Sequence, residues 1–244
     1  MSPRKTLATA GRVLQQLLHD PRTLALILLV PVVLLTILKY AFQSQPMVFD
    51  SLAPMILGIF PLVVMFIVTS IATLRERKVG TLDRLMTMPM SKLDFIFGYA
   101  LAFGVLALLQ AALASFVVLQ LLGVNVLGST LAVLVSALAS ALLGSSLGLF
   151  LSAFATSEFQ AVQFMPAFIF PQLLVCGLFV ARDQMAWPLQ WFADIMPLTY
   201  SVDAMKQITD YSAWTSRLTV DLLVVAGFAV AALILGSITI RRQE

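Results

Sequence analysis

LAPMILGIFPLVVMFIVTSIATLRERK, residues 52–78, holds twenty-three uncharged residues and then four charged ones in succession. A run of that length and apolarity as a helix crosses a hydrocarbon core about 30 Å thick. The charges that follow mark where the chain leaves the core. Comparable runs recur, and the spacing predicts six spans at 24–41, 52–74, 96–122, 129–154, 160–180 and 219–240. The sequence is 60% apolar by residue type, above the about 45–50% of soluble domains. The expected fold class is therefore an all-α integral membrane protein with six transmembrane helices. Residues 1–244 read as a single transmembrane domain with no room for a separate soluble one.

The basic residues orient the spans. Arg4, Lys5, Arg12 and Arg22 precede the first; Arg75, Arg77, Lys78, Arg84 and Lys92 lie between the second and third; Arg241 and Arg242 follow the last. These are eleven of the fifteen Lys and Arg, and they share one side if both termini are cytoplasmic. The basic start resembles a signal peptide, but the apolar run ends in Lys39-Tyr40 without a small-residue cleavage pattern, so a retained first span is expected. Before it, Leu7, Gly11, Leu14 and Leu18 fall on one stripe, which predicts an amphipathic helix over 1–20 lying on the membrane surface. Asp20-Pro21 suits the cap and first turn of the next helix.

Residues 181–218, on the opposite side, carry all three tryptophans (Trp187, Trp191 and Trp214) with Tyr200 and Tyr211. Such side chains favour the membrane–water boundary. Pro188 and Pro197 each suit a helix first turn, so two short external helices in a re-entrant segment are expected before the last span.

No ionisable side chain lies near the centre of any predicted span, which argues against a proton-coupled carrier and an embedded metalloprotease. No G-x-x-x-x-G-K-[ST] is present, so ATP is not bound here through a P-loop. Cys176 has no second cysteine to pair with, and His19 is the lone histidine. In the fourth span Ser136, Ser140, Gly144, Gly148 and Ser152 form a small-residue ridge, suited to close packing within the chain or to self-association. Pro166, Pro171, Gln163 and Gln172 in the fifth predict a kinked helix whose freed carbonyls and amides suit packing, a hinge or a polar path.

Residues 75–94, RERKVGTLDRLMTMPMSKLD, hold eight of the chain's charged residues. Gly80 permits a turn, Thr81 caps a short helix carrying Leu82, Leu85 and Met86 on one face, and Pro89 stops it. That apolar face needs a cover that this chain does not supply.

The run from Glu76 through Gly80-Thr81-Leu82-Asp83-Arg84-Leu85, followed by Pro89-Met90-Ser91, resembles the signature of ATP-binding cassette (ABC) type-2 exporter permeases. Asp20-Pro21-Arg22-Thr23, Ser157-Glu158-Phe159-Gln160-Ala161 and Met196-Pro197-Leu198-Thr199-Tyr200 resemble three further boxes of that family, with Met196 where Asn is more usual. The resemblance implies a permease subunit in a bacterial cytoplasmic membrane, without an ATPase site or cofactor of its own. It implies pairing with a second permease chain, identical or not, and with two copies of a cytosolic ABC ATPase that bind ATP and Mg. It implies that residues 75–94 form a cytoplasmic coupling helix, with Glu76, Gly80, Thr81, Leu82, Arg84 and Leu85 facing the ATPase and Glu158 adding a second contact. The substrate path is expected between chains, along the second and fifth spans, with Phe60, Met65, Phe164 and Phe168 as candidates. That apolar lining favours a hydrophobic or amphipathic cargo such as a drug, antibiotic or lipid. Membrane lipids are the other expected partners and nucleic acid is not one. The competing reading is a membrane scaffold or assembly factor whose charged loop docks a cytosolic protein.

Overall fold

The computed structural model describes residues 3–79 and 92–239. They form helices: α1 (Pro3–Leu18), α2 (Pro21–Ala41), α3 (Pro46–Lys78), α4 (Lys92–Phe116, running into a π turn at Val117–Leu121), α5 (Thr130–Ser152), α6 (Glu158–Val175), α7 (Trp187–Asp194), α8 (Pro197–Asp210) and α9 (Ser216–Thr239), with a short 3-10 turn at Arg182–Gln184. Local chemistry sets many of the starts. Asp20, Ser129 and Ser157 accept the amides of Thr23, Ala132 and Gln160, while α2, α3, α7 and α8 each carry proline in the first turn.

Five of these helices are long and apolar enough to cross a membrane: α2, α3, α4 with its π turn, α5 and α9. The sixth expected span, 160–180, corresponds to α6, which is shorter than predicted and ends at Val175, two residues before Gly177 turns the chain at φ +90°. Gln160, Gln163, Gln172, Pro166 and Pro171 lower its apolarity. Its 18 residues rise only about 27 Å, slightly less than the hydrocarbon thickness.

α3 is the axis. Its 33 residues extend about 50 Å, so both of its ends project beyond a hydrocarbon core. The ridge of α5 packs along it. A methyl group added at Gly144 would sit 2.1 Å from the Leu62 carbonyl oxygen, and one at Gly148 would sit 2.4 Å from that of Phe66. Both separations are far inside van der Waals contact, so the two backbones touch over one helical turn. Of the two uses open to the small-residue ridge, the structure shows packing within the chain at these glycines.

Three large core clusters surround this axis, with a small fourth of Leu74, Ala155 and Ala161 beside the α5–α6 elbow. At one end Ala10, Val13 and Leu17 of α1 pack with Met65 of α3 and with Ile96, Tyr99 and Phe103 of α4. At the other, Phe49, Ala53 and Leu57 of α3 meet Ala204, Met205 and Ile208 of α8 and Leu218 of α9. Between α3, α5, α6 and α8 lies a third, containing Ile59, Leu62, Phe66, Leu143, Ile169 and Val202. α7 remains outside the bundle, with Trp187 and Trp191 80% and 66% exposed, as rings seated in a membrane–water boundary would be.

Candidate functional site

The charged end of α3, at residues 75–78, opens the segment 75–94 singled out in the sequence. Three consecutive side chains there clamp three different elements. The Arg75 guanidinium donates to both Glu158 carboxylate oxygens at the start of α6, at 2.8 and 3.0 Å. Both Glu76 oxygens accept from Arg12 of α1, at 3.1 and 3.0 Å, and Arg12 also donates to the Tyr99 hydroxyl of α4 at 2.9 Å. Arg77 donates to the Ala153 carbonyl at 2.8 Å and to that of Ala155, in the elbow joining α5 to α6. Successive helical residues point about 100° apart, so three in a row reach three neighbours.

The contacts differ in strength. Arg75 and Glu158 are each about half exposed, and such a surface pair contributes about 0–1 kcal/mol. The hydrogen bonds from Arg75 hold the Glu158 carboxyl below its ordinary value. The Arg12–Glu76 pair is more enclosed, with side chains 29% and 14% exposed. It is braced by the Arg12 guanidinium lying 5.9 Å from the Tyr99 ring centre.

α1 reaches α3 and α4 because its two faces differ in what they meet. Thr9, Ala10, Val13 and Leu17 are buried, and α1 crosses α4 so closely at Gly98 that a methyl group there would lie 2.7 Å from Thr9 Cβ. Of the expected stripe, Leu7, Gly11 and Leu18 are exposed, while Leu14 is partly buried against the α1–α4 cluster.

Of the expected ATPase-contact residues, Glu76 and Glu158 fall within this clamp, each engaged by an arginine. Gly80, Thr81, Leu82, Arg84 and Leu85 lie outside the described residues. The four path candidates are not gathered in one place. Phe164 and Phe168 pack with the α3–α5–α6 cluster, Phe60 packs with the cluster near α8, and Met65 is fully buried in the α1–α4 cluster. Gln172 joins α6 to α8: its side-chain oxygen accepts the Leu198 amide in the first turn of α8, and its amide donates to Phe168 C=O.

The residue sequence alone passes over most readily is Arg12. Its place in a basic amphipathic start gives no sign of a partner sixty-four residues on. A second cluster, at the opposite end, was equally hidden. Arg182 donates to Asp194 and to Asp203, and Arg217 lies 3.8 Å from Asp203. Arg182, Asp203 and Arg217 border a polar cavity of about 360 Å³. Burial pushes the Asp203 carboxyl up, against the opposing pull of Arg182, Arg217 and Lys206. The signal available was that Arg182, Lys206 and Arg217 depart from the positive-inside pattern; charges stranded on the far side require partners.

The sequence matches the ABC-2 type transporter family over residues 4–209, most of the chain. The chain belongs to the ABC-2 type transporter family. The match runs through α1, the α3 clamp, the α5–α6 elbow and α8. A relative of this ABC-2 chain, ABC transporter G family member 20 of Dictyostelium discoideum, is 28% identical over 166 residues. That alignment covers 65% of the chain and 22% of the relative, so the ABC-2 chain spans about a fifth of that protein's length. The ABC-2 chain is a multi-pass membrane protein of the permease type found in ABC transporters.

Proposed function

We propose that this chain is the permease of an ATP-driven exporter, moving a hydrophobic or amphipathic substrate across the cytoplasmic membrane, with both termini cytoplasmic. A separate ABC ATPase supplies the energy, two copies serving a pair of permease chains. The ATPase docks on the segment that follows α3, through Gly80, Thr81, Leu82, Arg84 and Leu85. α6 crosses the membrane as the sixth span, and α7 with α8 forms the external re-entrant segment.

The observation that carries this reading is the triple clamp at residues 75–77. A displacement of the docking segment acts on the end of α3, and α3 is tied there to α1, to α6 and to the α5–α6 elbow. Such an end converts one local movement into a change of the whole cytoplasmic face. ATP can drive that change only if the ATPase holds the two arrangements with different affinity. The apolar character of the spans favours cargo that partitions into the membrane.

The test is co-expression with a candidate ABC ATPase subunit, followed by affinity purification and ATP-turnover measurement with candidate substrates. Leu82→Asp with Leu85→Asp is expected to abolish co-purification while the permease remains folded. Arg12→Met is expected to leave co-purification intact and to remove substrate-stimulated turnover. Retention of the ATPase by the double aspartate variant would overturn the docking assignment.

A further inference from the structure

Two cavities meet at Leu26. One, of about 380 Å³, opens between α1, α2 and α3; its apolar part is formed by Val13, Leu17, Leu26, Ile67 and Ile71. The other, of about 500 Å³, runs along the outward face of α2 from Arg22 past Leu26 and Leu29 to Val33. The first also carries the polar side chains of Gln16 and Tyr99, and the charged part of both limbs lies near the Asp20–Pro21 turn, where the chain passes from α1 into α2. There Asp20 borders the first limb and Arg22 the second, while Arg75, beside Asp20, is engaged by Glu158. Glu76, also on the rim, is already engaged by Arg12. Thr23 donates to both Asp20 oxygens and so fixes that carboxylate at the mouth.

We propose that this forked cavity binds one diacyl phospholipid with a zwitterionic, primary-amine headgroup, of the phosphatidylethanolamine class, drawn from the leaflet at the α1 end. The two limbs diverge on either side of Leu26 and accept two acyl chains, where a single-chain amphiphile would fill one. Arg22 pairs with the phosphate, and Asp20 accepts from the ammonium. Charges of both signs at one mouth select a headgroup that carries both; a purely anionic headgroup meets Asp20 unfavourably. The lipid fixes the angle between α1 and α2, and α1 carries Arg12 to the clamp on α3.

The test is native mass spectrometry of the full-length chain, purified in mild detergent with equal amounts of phosphatidylethanolamine and phosphatidylglycerol of matched acyl chains. One surface charge contact shifts partition about fivefold, and that is the expected preference for the ethanolamine lipid. Asp20→Asn keeps a good helix cap, so the fold is retained while the preference falls towards parity. Leu26→Trp fills the fork and is expected to remove the retained lipid without lowering the melting temperature. Equal or better retention of phosphatidylglycerol, an Asp20→Asn preference equal to that of the unmodified chain, or no lipid retained above background would each overturn the proposal. Because no ATPase takes part, the result stands apart from the success or failure of the transport reading.

Discussion

At the scale of single residues, the α3–α5 contact gives the sharpest expectation. Gly144 tolerates no Cβ, because the Leu62 carbonyl oxygen occupies its place. Gly227 on α9 has nothing within 4 Å of such a carbon. Gly144→Ala is expected to lower stability by about 1–3 kcal/mol, the usual range for overpacking. Gly227→Ala should be neutral or slightly stabilising, since alanine is the better helix former. Thermal unfolding of both variants in detergent checks the pair, and equal melting temperatures would contradict the close approach. The periodicity showed that a ridge of small residues exists. It did not show what the ridge touches, because a stripe of small side chains is the same whether the facing helix is in the chain or in another copy. Glu76 shows the same limit. Its place in a recognisable motif made it a candidate contact for a partner, and its neighbour within the chain, Arg12, is distant in sequence and set by the docking of α1.

At the scale of helices, starts were more legible than ends or faces. A cap or a first-turn proline is a local feature, and Asp20, Pro188 and Pro197 all stand where helices begin. The end of α6 depends on the turn at Gly177, and the π turn after α4 has no comparable mark in sequence. The spacing in α1 predicts one apolar face, and the helix has two: the stripe of Leu7 and Leu18 stays open, while Val13 and Leu17, on another side, pack into the bundle. The tie between α3 and α6 also belongs to this scale. Glu158 has its carboxyl lowered from the ordinary 4.5 by hydrogen bonds from Arg75. A lowered carboxyl contributes its stabilisation at neutral pH and loses it only as pH falls through the lowered value. Spin labels at Lys78 and Phe159 should therefore keep a constant separation from neutral pH down into the ordinary carboxylate range, and separate only below it. Widening already near neutral pH would show that the ion pair does not hold these helix ends together.

For the molecule as a whole, the decisive quantity is the number of crossings. If α6 crosses, Lys78 and Trp187 lie on opposite sides of the membrane; if it does not, they lie on the same side. With Cys176 replaced by alanine, single cysteines at these two exposed positions can be challenged with a membrane-impermeant maleimide in intact cells. Labelling at position 187 and protection at position 78 is the expected result, and equal labelling would reduce the span count to five. The fold class was plain from apolar run lengths alone, because crossing a hydrocarbon core imposes a length that few other environments demand. The candidate site was readable only in part. Its charges lay in view at residues 75–78, but the contacts that make it a clamp come from α1, from the elbow after α5 and from α6.

The backbone contact at Gly144 and Gly148 also limits how such permeases can be recombined. Two helices that touch carbonyl to α-carbon cannot slide or change register without a clash, so α3 and α5 are inherited as a matched pair. A hybrid permease that took one of them from a relative would be expected to assemble only if the other came with it. Helix contacts made only through side chains able to repack are the places where the fold can diversify.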